Sequence, residues 1–152
     1  MTNYLSLLLF IMLFSRSVLA SYDGVLNPTG CTFDDMQGFY MSELGIDYNT
    51  SINLVRKRIA DPRKKGFTKP LAAGGYLVAI EESLEPSEIR VTLAHELVHV
   101  RQLERGEIKQ SEFKKHYLNR SFEDEAFRLS LPLAVKFYTE YKCDNSKENP
   151  AQ

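Results

Sequence analysis

The chain contains three histidines, and two of them bracket a glutamate in Ala94-His95-Glu96-Leu97-Val98-His99. Residues four apart on a helix lie one turn above each other on the same face, so His95 and His99 can aim at a single divalent ion. Zinc accepts neutral imidazole nitrogens, and a catalytic zinc site keeps one place open for water, whose pKa it lowers toward 7. Glu96 follows the first histidine by one residue and points beside the ion. From there it can take a proton from water and deliver it to a leaving amine. The H-E-x-x-H pattern also arises by chance on surface helices. Here it shares its helix with Ile89, Val91, Leu93, Leu97, Val98, Val100 and Leu103. That helix reads as buried, and buried histidines and a glutamate need compensation of the kind a metal supplies.

The run His95 to Gln102, followed after a gap by Ser121-Phe122-Glu123-Asp124-Glu125-Ala126-Phe127-Arg128, resembles the gluzincin metallopeptidases. These place the zinc-binding histidines on one helix and a glutamate ligand on a later one, often within an E-x-x-A pattern. The resemblance spans roughly Tyr76 to Leu131. It implies a zincin-like fold, peptide hydrolysis, Zn2+ as cofactor and Glu123 as the third ligand. Glu125 is the fallback, since two residues are about 200° apart on a helix and both cannot face the ion. Ala126 would let the two helices approach closely. By analogy with related peptidases, His116 or Tyr117 would polarise a substrate carbonyl. The pattern departs from the family at Phe127, where several gluzincins carry an aspartate. Metal-bound histidines usually donate their other N–H to an acceptor, and Asp124 or a backbone carbonyl is left for that role. Gln102, three residues past His99, reads as a structural hydrogen-bonding residue.

The elements that must position these groups form an α+β fold, mainly helical with a small sheet. Phe33 to Ile46 predicts a helix capped by Asp34 or Asp35 and ended by Gly45. Asn49 to Ala60, with Ile52, Val55 and Ile59, predicts a second. A basic connector follows, from Arg56-Lys57-Arg58 through Arg63-Lys64-Lys65 to Lys69. It reads as solvated, with an anionic landing site as the sharper alternative. Tyr76 to Ile80 is the clearest strand, taken as the edge that flanks the metal cleft and pairs with an extended peptide. The motif helix should run from about Ser87 to Arg105 and stop at Gly106. Ser111 to Asn119 is a polar helix or loop. The last helix should begin at Ser121, with Asp124 in a capping box, and continue to Tyr141.

The 152 residues suit one domain, and a formal charge of −1 implies no strong attraction to nucleic acid. The apolar run Leu5 to Phe14 is too short to span a bilayer. With Val18-Leu19-Ala20 behind it, it reads as a signal peptide over residues 1–20. Residues 21–152 then form one exported domain, periplasmic or secreted, a monomer without a stable membrane span. Cys31 and Cys143 can pair in an oxidising compartment. The expected partner is a peptide or protein substrate. The alternatives are a cell-wall peptide amidase or endopeptidase, an exported effector with the same metal chemistry, and a non-catalytic zinc-containing binding module.

Overall fold

The computed structural model describes residues 25–109, 111–112 and 115–143. The signal-peptide segment 1–20 lies outside them. The elements, in chain order, are α1 (Phe33–Leu44), β1 (Ile52–Lys57), β2 (Gly66–Pro70), β3 (Tyr76–Glu81), α2 (Pro86–Glu104), a short 3-10 turn (Tyr117–Asn119) and α3 (Ser121–Thr139). Among the described residues the architecture is α+β, with three α-helices and a three-stranded mixed sheet.

α1 starts where expected, but Thr32 is its cap. The Thr32 hydroxyl accepts from the Asp35 backbone, and the Asp35 side chain reaches back to the Thr32 N–H at 2.8 Å. Gly45 ends the helix in the left-handed conformation (φ 64°), which glycine adopts without a Cβ penalty. Met36, Tyr40, Met41 and Leu44 face the core.

The sheet corrects two expectations. Residues 52–57 form strand β1, not a helix. Ile52, Val55 and Ile59 fit a 3.6-residue period, but Ile52 and Leu54 also fit a period of two, and these two pack against the core. A run this short does not separate the periods, and pairing with β3 decides the outcome. The strand order is β1-β3-β2, with β3 parallel to β1 and antiparallel to β2. The strand Tyr76 to Ile80 is therefore central, not an edge. Val78, Ala79 and Ile80 are all fully buried, as befits a strand covered on both faces. The edge beside the motif helix is β2, a strand hidden inside the basic connector. The rest of that connector is largely exposed, with Lys65 paired to Glu88 and Arg63 to Asp61.

α2 carries the motif and packs along α3 and across the sheet. Leu93, Ala94, Leu97, Val98 and Val100 are inaccessible to solvent, as is Ala126 on α3, where a small side chain brings the helix axes together. α3 is capped by Arg120 without a side-chain bond, so Ser121 is not the cap. The Ser121 N–H and hydroxyl instead donate to Glu112.

Cys31 and Cys143 form a disulfide, with Cα atoms 5.4 Å apart. Next to it, fully buried Asn27 donates to the carbonyls of Phe137 (2.6 Å) and Tyr141 (3.0 Å) and accepts from the Thr29 N–H. These bonds fasten the chain before α1 to the end of α3.

Candidate metal centre

His95 and His99 lie on the face of α2 turned toward α3, and Glu123 sits in the first turn of α3 opposite them. The two Nε2 atoms are 3.1 Å apart, and the Glu123 Oε2 lies 3.2 Å from His95 and 3.4 Å from His99. These three residues form the one cluster among the described residues that could hold a metal ion. The donor set fits a divalent metal ion. Nitrogen and oxygen ligands about 2.0–2.1 Å from a tetrahedral ion are necessarily roughly 3.3 Å from each other. Two histidines and one carboxylate also leave a fourth place open, as catalytic sites do.

The surroundings hold the triad in place. The His95 ring is edge-on to His99, with centroids 4.7 Å apart, and packs on Phe127 at 4.9 Å; His99 meets Phe122 at 5.4 Å. Burial raises the Glu123 pKa, but its close contacts with the His95 and His99 rings and the hydrogen bond from the Tyr117 hydroxyl outweigh it and hold the carboxyl down to about 2. For His99, burial opposes the charged form, yet Glu123, Glu96 and Gln102 together hold its pKa above the usual histidine range.

Glu96 is 5% exposed and points away from α3, onto β2. The Thr68 hydroxyl lies 2.8 Å from its Oε2 and 3.0 Å from its backbone carbonyl. Burial pushes the Glu96 carboxyl above the usual carboxylate range, against the pull of His99, His95 and Thr68. A carboxylate raised in this way is a better proton acceptor near neutral pH. Gly66 completes the cradle. A Cβ there would lie 2.8 Å from Glu96 Oε1 and 2.9 Å from Thr92 Cγ2, so Gly66→Ala should push the Glu96 side chain aside. Any reaction that uses Glu96 as a base should then fall on the order of 10²-fold, as for a reacting group displaced by about 1 Å, with metal content unchanged. Steady-state kinetics beside metal analysis checks this, and wild-type turnover would dismiss the cradle.

The remaining candidates separate. Glu125 faces away from the triad: Arg101 Nη2 lies 2.7 Å from its Oε1, and Gln102 Nε2 donates to its Oε2 at 2.9 Å. Tyr117 bonds Glu123, and burial together with that carboxylate pushes its phenol up, so it stays a donor. His116 is exposed at the start of the same turn and outside the triad. Asp124 is exposed, and the group that meets His99 Nδ1 is Gln102 Oε1, at 2.8 Å. Sequence reasoning missed Gly66 and Thr68, because a five-residue strand in a charged stretch carries almost no pattern. Gln102 makes the structural hydrogen bonds expected of it, meeting His99, the Phe122 carbonyl and Glu125.

No family model, curated protein or solved structure matches this chain.

Proposed function

We propose that the chain is an exported, zinc-dependent peptide hydrolase of gluzincin-like design, with His95, His99 and Glu123 holding the ion and Glu96 as general base. The observation that carries this reading is the convergence of two imidazole nitrogens and one carboxylate oxygen on one point, next to a buried glutamate that is not part of the cluster. A divalent ion held there would supply Lewis acidity toward water and the scissile carbonyl. Glu96, steadied by Thr68 and Gly66, accepts the proton of the attacking water and passes it to the leaving amine. Tyr117 keeps Glu123 oriented and offers a hydroxyl at the mouth of the site. Beside Glu96, the outer edge of β2 takes the place first assigned to Tyr76–Ile80 and pairs with an extended substrate. The disulfide supports export, since such bonds persist in oxidising compartments. Among the described residues, no helix is long and apolar enough to cross a membrane.

The deciding experiment is metal analysis of the purified protein with and without chelator, alongside cleavage of a broad peptide panel. One equivalent of zinc and chelator-sensitive cleavage are expected. Absence of either overturns the reading.

The ionisation of the triad sets a pH dependence. A proton on His99 competes with the ion, and the neighbouring carboxylates hold that proton more tightly than usual. Metal affinity should therefore keep rising with pH above about 6.5, by about tenfold per unit while one proton is displaced. Glu123, held down to about 2, is already ionised there and adds no slope. Competition titrations against a chromophoric chelator across this range would show it. An affinity that does not rise with pH through and beyond the ordinary histidine range would contradict the assignment of His99 as ligand.

A further inference from the structure

Gln102 is 2% exposed and sits on α2 three residues after His99. Its amide meets three neighbours. Nε2 lies 2.9 Å from the Phe122 carbonyl oxygen and 2.9 Å from Glu125 Oε2, while Oε1 lies 2.8 Å from His99 Nδ1. The first two neighbours are oxygens: a backbone carbonyl, which only accepts, and a carboxylate that already accepts from Arg101. An amide nitrogen offers two hydrogens and matches both. The reversed amide would set its own oxygen against two others, deep in the protein. The orientation is therefore fixed, and Oε1 can only accept. His99 Nδ1 must then carry a proton, and a neutral imidazole carries only one. The bare lone pair is left on Nε2, the atom that faces His95 and Glu123.

We infer, on the metal-site reading above, that Gln102 is the residue that locks His99 in its ion-binding tautomer, and that Arg101 and Glu125 hold Gln102 in register. The chain of contacts runs Arg101 to Glu125 to Gln102 to His99. It makes Glu125 a positioning residue, not a spare ligand. α3 grips the same imidazole from both sides, through Glu123 directly at Nε2 and through Glu125 by way of Gln102 at Nδ1. The Phe122 carbonyl, in the first turn of α3, is the other anchor of the amide, so the tautomer of a residue on α2 depends on the docking of α3.

Two measurements on the full chain test this. The first is the nitrogen NMR signature of His99 in metal-free protein at about pH 9, well above the usual histidine range. The wild type should show a single tautomer protonated at Nδ1, and Gln102→Leu should show a mixture with Nε2–H. The second is zinc affinity by chelator competition. Gln102→Leu should bind about 10- to 100-fold more weakly, with an unchanged circular dichroism spectrum. Should that variant fail to fold, Glu125→Gln serves. Its amide would have to face either Arg101 or Gln102 with a donor, so the hold on Gln102 slackens, and a several-fold loss of zinc affinity is expected with some Nε2–H form. A wild-type mixture of tautomers, or folded variants that match wild type in both readouts, would overturn the inference. A wild type that binds no zinc yet shows the pure Nδ1–H form would instead count against the hydrolase reading and leave the amide lock standing.

Discussion

Replacing Glu96 with glutamine should leave one equivalent of metal in place and reduce peptide hydrolysis by about 10²–10⁴-fold, the range a positioned general base supplies. The ligand atoms belong to His95, His99 and Glu123, so the substitution does not touch them. Glutamine also matches glutamate in shape. It can occupy the space beside Gly66 and keep an oxygen toward the Thr68 hydroxyl, so the cradle does not collapse. The neutral amide lacks a basic lone pair to take a proton from water. The fold should not suffer, because Glu96 is almost fully buried and its carboxyl is pushed upward by that burial. An uncharged group is the easier one to keep there. Most of the loss should appear in kcat, with KM close to wild type, since the step removed belongs to the transition state. Turnover equal to wild type would eliminate Glu96 as base.

The other large effect concerns stability. Cys31 and Cys143 are 112 residues apart in sequence, so their bond closes nearly the whole described domain. The chain-entropy model gives such a loop a stabilisation of about 4–5 kcal/mol. That is a large share of the roughly 5–15 kcal/mol typical of a whole domain. A double Cys31→Ser, Cys143→Ser variant should therefore lose on the order of 15 °C in thermal midpoint. Asn27 should hold part of the junction, because its bonds to the Phe137 and Tyr141 carbonyls do not depend on the thiols. Pairing Asn27→Ala with the serine variant would show more than additive loss if the two fastenings share one load. Thermal unfolding under oxidising and reducing conditions reads this directly. Identical midpoints in the two would remove the disulfide from any account of stability.

The metal-site helix was the most legible part of the chain. Apolar residues at helical spacing and two histidines four apart point to one element, and α2 runs from Pro86 to Glu104. The place of Glu123 came through likeness to a family pattern. Spacing alone could not choose it over Glu125, because both lie within one turn. The choice is made by α3 packing against α2, which turns Glu123 inward and leaves Glu125 to Arg101 and Gln102. The sheet was poorly legible for a related reason. β1 and β2 draw stability from pairing with β3, and pairing partners are not written in either short segment. Gly66 and Thr68 gain meaning only once β2 is laid against α2. Local pattern indicated the helices, while the groups that orient the reacting side chains depend on contacts distant in sequence.

The outer side of β2 offers backbone donors and acceptors that no described strand of this chain occupies. Such a border invites uncontrolled stacking of one copy on another, the first step toward fibrils. This one is guarded: the strand is five residues long, and its far end is Lys69 and Pro70, a charge and a residue without an N–H. The unguarded stretch is Gly66 to Thr68, the part that lies over Glu96. A neighbour long enough to aggregate finds the border closed at one end, whereas a short extended guest finds it open beside Glu96.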